Sequence, residues 1–364
     1  MLNNPCYYAE YVWIDGSTPT RQVRSKTRIL RPTQSPTEPE DFPEWSFDGS
    51  STGQAPGDKS DCILKPVRVV PDPTRPSFEY SDGGVSAEIP MGYLVLCEVF
   101  NADGTPHATN SRAPLREVLE NGGGNALDIW IAFEQEYTLF KGSRPLGFPE
   151  KSRFPPAQGA YYCGVGSDSV YGREFVESHL HACLDAGIYC TGINAEVMPG
   201  QWEFQVGGPD GDPLLVSDHL WLSRWLLYRL GEDHEIYATL DQKPITGDWN
   251  GAGLHTNIST KGTRDKAGGM KAIERFCDVI GSRMEEHTSV YGDGLELRLT
   301  GLHETAHVTE FRWGVSDRTA AIRIPLQVAR DGYGYLEDRR PGANADPYEL
   351  SLVMTESALL AEKE

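Results

Sequence analysis

Apolar and polar positions alternate in short runs over the first hundred residues of the chain. The segments 12–15 and 93–98 both show this alternation, which is typical of β-strands. The proline-rich stretches 32–43 and 71–90 show no helical periodicity, so we predict loops there. A turn-like sequence at 101–106, with Asn, Asp, Gly and Pro, then indicates a domain boundary.

Apolar residues recur with helical spacing beyond this boundary. Stripes of this kind cover 175–186 and 273–284, and the apolar run 220–230 also predicts a helix. Strand patterns lie between these helices. We therefore predict an α+β fold, with a small β-rich domain over residues 1–104 and a larger mixed domain over residues 105–364.

The most regular strand pattern of the chain is the segment 127–140. Its odd positions are nearly all apolar and define a core face, whereas its even positions include Glu134 and Glu136. Residues two apart on a strand lie on the same side, roughly 6.6 to 6.8 Å from each other. Two neighbouring carboxylates on an otherwise uncharged face are costly unless a cation lies near them. Two solvated surface glutamates are the alternative interpretation of such a pair.

A second pair of glutamates strengthens the case for a metal site. Pro199-Gly200 is a turn dipeptide, and a hairpin centred there would place Glu196 opposite Glu203. Like charges that face each other across two strands are destabilising on their own. Two strand regions that each offer paired glutamates therefore predict a polycarboxylate site, whose hard oxygen ligands favour Mg²⁺ or Mn²⁺.

The charge balance excludes several classes of partner. With 33 basic and 53 acidic residues the formal net charge is −20, which repels phosphate backbones and anionic lipids. We therefore expect no nucleic-acid and no membrane partner, and no apolar run reaches the roughly 20 residues that a membrane span needs. The seven cysteines are scattered and no signal peptide is visible, so we expect a cytoplasmic location.

The common nucleotide-binding loops are absent from the sequence. Neither Gly-x-x-x-x-Gly-Lys-Ser/Thr nor Gly-x-Gly-x-x-Gly occurs, so any nucleotide must be held through metals and arginines. The planar guanidinium fork matches carboxylate and phosphate groups. The candidates are Arg298, Arg318, Arg323, Arg339 and Arg340. Scattered surface arginines are the alternative interpretation, and none of the five is assigned on its own.

The segment from His303 to His307 matches His-Glu-x-x-His, which is the signature of zinc peptidases. That chemistry requires a helix, because both histidines must lie on one face. Gly301 and the β-branched residues around the motif argue against a helix. A loop with two exposed histidines is the simpler interpretation, and a zinc peptidase remains the competing function from another class.

Seven segments in the right order together resemble the glutamine synthetase family, specifically its shorter, eukaryotic-like type II. They are WSFDGSST (45–52), FEQEYTLF (133–140), NAEVMPGQWEFQ (194–205), GDWNGAGLHTNIST (247–260), LTGLHET (299–305), RTAAIRIP (318–325) and YLEDRRPGANADP (335–347). The resemblance runs from about residue 11 to residue 347. It implies a small N-terminal β-grasp-like domain, followed by a catalytic α/β domain built on a curved antiparallel sheet flanked by helices.

The resemblance also implies roles for particular residues. Two or three Mg²⁺ or Mn²⁺ ions would be bound, one by Glu136, Glu196 and Glu203 and a second by Glu134, His255 and Glu337. L-glutamate would be held by Asn250, Gly251, Arg298 and Arg339, and ATP by Trp130, Asn257, Ser259, Arg318 and Arg323. Ammonium would be bound by Asp48, Ser51 and Asp61. The catalytic groups would be Asp48 as the base, Glu304 as a flap that closes the site, and Arg318.

An enzyme of this family joins ammonium to the γ-carboxylate of L-glutamate and so forms L-glutamine. Because a carboxylate has a poor leaving group, ATP first converts it into γ-glutamyl phosphate, and cations and arginines offset the repulsion between the two anions. The family implies a homo-oligomeric ring assembly, a decamer, with active sites between adjacent subunits. A ligase that joins glutamate to a larger amine and a non-enzymatic scaffold protein are the alternatives.

The sequence departs from the family pattern in three places. The stretch 291–297 is shorter than in animal members, the region 75–90 is longer, and Asp317 precedes Arg318 where asparagine is more usual. None of the six implied metal ligands departs from the pattern. The intact ligand set argues against an inactive descendant of the fold.

Overall fold

The computed structural model describes residues 6–31, 36–82, 85–148 and 155–363. The strands are β1 Tyr7–Ile14, β2 Val23–Leu30, β3 Trp45–Asp48, β4 Asp61–Pro71, β5 Ser77–Asp82, β6 Val85–Pro90, β7 Gly92–Phe100, β8 Trp130–Lys141, β9 Arg144–Pro145, β10 Cys190–Ala195, β11 Gln201–Gly207, β12 Tyr237–Thr239, β13 Leu254–Ser259, β14 Trp313–Val315, β15 Ile322–Ile324 and β16 Leu336–Asp338. The α-helices are α1 Arg112–Glu120, α2 Arg173–Asp185, α3 Pro213–His234, α4 Gly269–Ser282, α5 Met284–Ser289, α6 Leu295–Arg298, α7 Leu326–Asp331 and α8 Pro347–Ala361.

The first sheet has the order β2-β1-β7-β4-β3, with β1 and β7 parallel. Both faces of its central strands are buried. Tyr11 and Val95 pack into a core that belongs to this sheet, whereas Val12 and Leu96 join the large core of the rest of the chain. The predicted alternation is therefore correct, but the sheet lies between two apolar layers instead of facing solvent on one side.

The loop prediction for 71–90 is wrong. Strands β5 and β6 pair antiparallel within this stretch, from Ser77 opposite Pro90 to Asp82 opposite Val85. The pair is a separate two-stranded sheet, and its residues do alternate between apolar and polar in the sequence, but the flanking prolines indicate a loop. Within the other predicted loop, residues 32–35 lie outside the described part of the chain, and Pro39–Asp41 form a single 3₁₀ turn.

The second sheet has the order β10-β11-β8-β13-β16-β15-β14, and β9 and β12 also pair with β8. All its described pairs are antiparallel except β14 with β15. Strand β8 lies at its centre. The odd residues of β8 are buried as the sequence predicts, with Phe133, Tyr137 and Leu139 fully inaccessible. The even side chains therefore emerge together on the opposite face.

Helices cover the buried face of this sheet, and the three predicted helices are present as α2, α3 and α4. Helix α3 is longer than its apolar run because Asp212 caps it, accepting hydrogen bonds from the backbone N–H groups of Leu214 and Leu215 at 3.0 and 2.9 Å. The observed architecture is α+β, as expected. A division of the chain at residue 104 stays a prediction. In the part of the chain described, no helix has the length and apolar content of a membrane-spanning segment.

Candidate active site

The register of the second sheet brings the predicted site residues into rows across its strands. Glu136 on β8 lies opposite Glu203 on β11, and Glu134 on β8 lies opposite His255 on β13. One row further, Asn257 on β13 lies opposite Glu337 on β16. Because facing residues on paired strands have Cβ atoms about 4.5 to 5.5 Å apart, the sheet itself collects these side chains from distant parts of the sequence.

The predicted register of the β10–β11 hairpin is wrong by two residues. Glu203 faces Asn194 instead of Glu196, and the Glu196 N–H donates to the Gln201 carbonyl at 2.9 Å. Pro199 and Gly200 do form the middle of a turn, closed by a 3.0 Å hydrogen bond from Gln201 N–H to Met198 O. The backbone twist of a Pro-Gly turn of this kind does not match the twist of two paired strands. Extra residues therefore connect the turn to the last pair of the hairpin, Ala195 opposite Trp202.

The glutamates nevertheless converge as two clusters. In the first, ligand oxygens of Glu136, Glu196 and Glu203 all lie within 4.8 Å of one another. In the second, ligand atoms of Glu134, His255 and Glu337 meet the same limit. Both triplets are the ones that the family resemblance implies, and carboxylates with one imidazole are a donor set that suits Mg²⁺ or Mn²⁺.

The first cluster is an unbalanced group of buried carboxyls. Burial, together with the charges of Glu136 and Glu203, raises the pKa of Glu196 to about 9. Burial and the charges of Glu134 and Glu136 raise the pKa of Glu203 to about 8. Both carboxyls therefore bind protons more tightly than free glutamate does, and a bound cation would supply the positive charge that the cluster lacks.

We predict that the metal-free protein loses stability as the pH rises from about 5 to about 9. The unfolded chain releases both protons near the ordinary glutamate pKa, whereas folded Glu196 and Glu203 keep theirs to about pH 9 and 8. The folded state thus binds more protons across this window, so its free energy of unfolding falls by on the order of a few kcal/mol. Thermal unfolding in the presence of a chelator measures the effect.

Two comparisons make this pH test specific. Mn²⁺ should restore stability, and the gain should grow with pH because the ion competes with protons for the same oxygens. Glu196→Gln removes one titrating group and should flatten the slope. A metal-free protein whose melting temperature rises or stays constant across the same window would contradict the assignment.

The second cluster is held by cations of the chain itself. The His255 imidazole lies 3.4 Å from Glu134 and 3.5 Å from Glu337. Arg323 and Arg339 both donate to the Glu337 carboxylate, at 2.6 and 2.5 Å. Burial opposes ionisation of Glu134, but hydrogen bonds from His255 and Asn257 lower its pKa to about 2. Glu134 therefore stays ionised, in contrast to the first cluster.

Both clusters open into one cavity of about 560 Å³. Thirteen of the nineteen predicted site residues line it: Glu134, Glu136, Glu196, Glu203, Asn250, Gly251, His255, Arg298, Glu304, Arg318, Arg323, Glu337 and Arg339. A larger cavity of about 960 Å³ lies elsewhere, and none of the predicted residues lines it. Size alone therefore does not identify the site, whereas the convergence of titratable groups does.

Arg298 is the most deeply buried cation of the cavity. Its Nη2 donates to three backbone carbonyls, those of Arg339, Arg340 and Pro341, at 3.0, 2.8 and 2.6 Å. Its Nε has no hydrogen-bond partner among the residues described, and burial lowers its pKa to about 10. A substrate carboxylate would satisfy this guanidinium, which fits the predicted role of Arg298 in glutamate binding.

Three residues predicted to hold the nucleotide continue the rows beyond the cavity. Asn257 donates to Glu134 at 2.8 Å, and Ser259 pairs with Trp130 across β13 and β8. Arg264 joins the last two, because its guanidinium carbon lies 3.7 Å from the Trp130 ring centre and its Nη1 donates to Ser259 Oγ at 2.8 Å. Trp130, Asn257 and Ser259 thus form a ledge on the neighbouring strands β8 and β13, next to the second cluster.

The predicted ammonium residues lie apart from the cavity of their own chain. Asp48 ends β3, and it accepts hydrogen bonds from the Ser50 and Ser51 hydroxyls at 2.6 and 2.9 Å. These bonds lower its pKa, so it is an exposed anion at neutral pH. Asp61 pairs with Asp48 at the start of β4. The first sheet therefore presents a small acidic group that does not line the cavity of its own chain.

The His303–His307 segment is not helical. It forms a turn in which His303 and Glu304 have positive φ angles of 53° and 60°, and an isolated bridge joins Thr300 to His307. The zinc-peptidase interpretation is wrong for this reason, since the two histidines do not share a helix face. Glu304 instead lines the cavity, on a strained loop of the kind that occurs at functional sites.

Comparisons with known protein sequences identify the family of this chain. The family model described as the glutamine synthetase β-grasp domain matches residues 6–102, and the one described as its catalytic domain matches residues 108–268. A glutamine synthetase of Streptomyces viridochromogenes is 53% identical over 357 residues, covering 98% of this chain and 97% of that protein. The chain belongs to the glutamine synthetase family.

Other members of the glutamine synthetase family are similar over nearly the same length. A glutamine synthetase of Emericella nidulans is 49% identical, and the aligned region covers 96% of this chain and 91% of that protein. A cryo-EM structure of the Plasmodium falciparum glutamine synthetase superposes with a TM-score of 0.74, covering 99% of this chain and 73% of that one. At 15% identity, that likeness shows the fold alone.

Some residues of the glutamine synthetase cavity escaped the sequence analysis. Asn194 donates to Glu196 at 2.9 Å, and Gln205 donates to Glu203 at 2.7 Å, so each amide orients one carboxylate of the first cluster. Both lie two residues from the glutamate that they contact. That spacing on a strand could have revealed them. Tyr162, in contrast, lines the cavity from an irregular segment that carries no such periodic signal.

Proposed function

We propose that the chain catalyses the ATP-dependent ligation of ammonium to the γ-carboxylate of L-glutamate, through γ-glutamyl phosphate, to form L-glutamine. The observation that carries this proposal is the convergence of two carboxylate clusters and four arginines on one cavity. Carboxylates alone would repel both anionic substrates, and arginines alone would not account for six clustered metal-ligand residues, five of which are buried. Together, the carboxylates and arginines suit a reaction between two anions that bound cations bring together.

The two clusters fit Mg²⁺ or Mn²⁺, with two or three ions per site. The fit rests on the donor chemistry and on the protons that Glu196 and Glu203 retain without a cation. When bound, such ions offset the repulsion between ATP and glutamate and stabilise the transferring phosphoryl group. Asn194 and Gln205 keep the ligand oxygens in place, and His255 bridges the two carboxylates of the second cluster.

The arginines divide between the substrates. Arg298 and Arg339, with Asn250 and Gly251, would hold the backbone carboxylate and amine of L-glutamate, as the family resemblance implies, and all four line the cavity. Arg318 and Arg323 would bind the ATP phosphates and stabilise the charge that develops during transfer. Trp130, Asn257 and Ser259 would hold the rest of the nucleotide along the ledge described above.

Glu304 would shield γ-glutamyl phosphate from water. Its loop is stabilised at one side, where His303 lies 3.4 Å from Asp248 and 3.3 Å from Gln158. We therefore predict that Glu304→Ala uncouples the reaction, so that phosphate is released in excess of glutamine by at least several-fold. Parallel assays of phosphate and glutamine measure this ratio.

Glu310→Ala is the matched control for this prediction. Glu310 is exposed and lies a few residues beyond the loop, outside the set that lines the cavity. It should leave the two products in equal amounts. Equal phosphate and glutamine from Glu304→Ala, at any rate of turnover, would contradict the flap assignment.

Ammonium binding would involve a neighbouring subunit. Asp48, Ser51 and Asp61 form an anionic group that lies outside the cavity of their own chain, so a second copy must bring them to it. An ionised Asp48 attracts ammonium and accepts its proton, which creates the nucleophile. We accordingly propose a homo-oligomeric ring, a decamer, with sites between subunits. A cytoplasmic location is supported by the seven free cysteines.

The proposed reaction has a direct test. Purified protein incubated with L-glutamate, ATP, Mg²⁺ and ammonium should form glutamine and phosphate in equal amounts. Absence of glutamine under these conditions would overturn the proposal. Competition between ammonium and ethanolamine then decides the amine: a product containing mainly ethanolamine would replace the ammonium assignment with a ligase for larger amines.

A further inference from the structure

The larger cavity, of about 960 Å³, contains a buried cation that forms no close ion pair with the described residues. It is lined by the segment 19–23, the second half of α3 and the segment 236–241, together with Asp293 and its neighbours. Arg224 of α3 forms part of its wall, yet only 1% of Arg224 is accessible. The short stretch 291–297, where the sequence departs from the family pattern, supplies another part of the wall.

The guanidinium of Arg224 is firmly positioned but incompletely bonded. Its Nε donates to Gln135 Oε1 at 2.8 Å, and its Nη2 donates to the Ala343 carbonyl at 3.1 Å. Its guanidinium carbon lies 4.7 Å from the ring centre of Trp221, which also lines the cavity. Among the described residues its Nη1 has no hydrogen-bond acceptor and no carboxylate lies within ion-pair distance, although Asp346 acts on its charge from further away. A buried guanidinium in this state favours an anionic partner.

The other charges of the cavity restrict what that partner can be. Arg21 is already engaged, because it pairs with Asp346 at 3.6 Å and Glu349 at 3.3 Å. The acidic residues of the wall are Glu232, Glu235, Asp241 and Asp293. Glu232 pairs with Arg229 at 3.3 Å and Glu235 with Lys141 at 3.9 Å, whereas Asp241 and Asp293 have no ion pair among the described residues. The unpaired carboxylates would repel a dianion such as phosphate. They would attract a molecule that carries a positive charge away from its carboxylate.

We propose that this cavity binds a zwitterionic carboxylate of the amino-acid class, with its carboxylate on Arg224 and its ammonium towards the acidic wall. The planar fork of arginine suits a carboxylate, and burial lowers the pKa of Arg224 to about 10, a shift that a bound carboxylate would oppose. The site is separate from the candidate active site, since the two cavities share no lining residue.

Binding is tested by calorimetry with a series of ω-amino acids from glycine to 6-aminohexanoate, alongside hexanoate and phosphate. At least one ω-amino acid should bind once per chain, more tightly than hexanoate and much more tightly than phosphate. Arg224→Met should weaken that binding at least tenfold. Arg229→Met is the matched control: Arg229 lies on the same helix, pairs with Glu232 and Asp233 and lines no part of the cavity. Because its removal frees Glu232 to attract the ammonium, binding should persist or become tighter.

Two further measurements keep the outcome unambiguous. The Michaelis constant for L-glutamate should be unchanged in Arg224→Met, which excludes a loss of binding at the active site. If Arg224→Met does not fold, a crystal of the unaltered protein soaked in the tightest ω-amino acid decides, since carboxylate density is expected at Arg224 Nη1. No binding by any member of the series, equal loss in Arg229→Met, or density only at Arg298 and Arg339 would overturn the proposal.

Discussion

Replacing Glu136 with glutamine is expected to lower kcat by about three orders of magnitude, with little change in side-chain volume. Glu136 occupies the centre of the site, since it faces Glu203 across the sheet and its Oε2 accepts the Gly253 N–H at 2.6 Å. The amide keeps the shape of the carboxylate but removes a negative charge from the first cluster. Metal-dependent glutamine synthesis under saturating substrates measures the loss.

A stability measurement separates this effect from misfolding. Without metal, Glu136→Gln should be at least as stable as the unaltered chain, because it removes the charge that opposes ionisation of Glu196 and Glu203. Added Mn²⁺ should no longer raise its melting temperature. Glu120→Gln, at the exposed end of α1, should behave as the unaltered protein in both assays. Normal turnover by Glu136→Gln would contradict a role for the first cluster in catalysis.

Mixed rings of two inactive variants are expected to regain activity. Asp48→Asn should lower turnover with ammonium by about two orders of magnitude, because the neutral amide neither attracts the cation nor accepts its proton. Glu136→Gln is inactive for a different reason. If each site combines Asp48 of one subunit with Glu136 of its neighbour, co-assembly at equal amounts leaves roughly a quarter of the sites intact.

Two controls test whether the recovered turnover comes from sites shared between subunits. Asp48→Asn should retain turnover with hydroxylamine, which is already unprotonated at neutral pH and needs no base. Rings that combine Glu136→Gln with Glu203→Gln should stay inactive, since Glu136 and Glu203 belong to one cluster of one chain. If co-assembled rings of Asp48→Asn and Glu136→Gln subunits regain no turnover, the result would contradict sites shared between subunits.

Local periodicity predicted the strand that carries the site but not the way its neighbours pair. Along β8, alternation separates Phe133 and Tyr137 from Glu134 and Glu136, because a strand facing one core must alternate. The β10–β11 register escaped prediction, since the irregular turn around Pro199 shifts the ladder by two residues. Glu196 still reaches Glu203, but from beyond the end of the strand and not from the facing position.

Contacts between distant segments were the hardest to predict. Gln135 lies on the apolar side of β8 and looks like an exception in the sequence, yet it accepts a hydrogen bond from the buried Arg224 of α3. Nothing local links residue 135 to residue 224. The β5–β6 pair was missed for a different reason, since its strands alternate between apolar and polar residues but lie within a proline-rich stretch that predicts a loop. Periodicity reports the burial of one element and carries no information on its partner.

Anomalous diffraction from a crystal grown with Mn²⁺ tests the central claim most directly. We predict one manganese peak bounded by Glu136, Glu196 and Glu203, and a second bounded by Glu134, His255 and Glu337, both inside the smaller cavity. Ligand oxygens should close to within metal-bond distance of each peak. Manganese bound elsewhere, or both clusters empty at saturating Mn²⁺, would contradict the account.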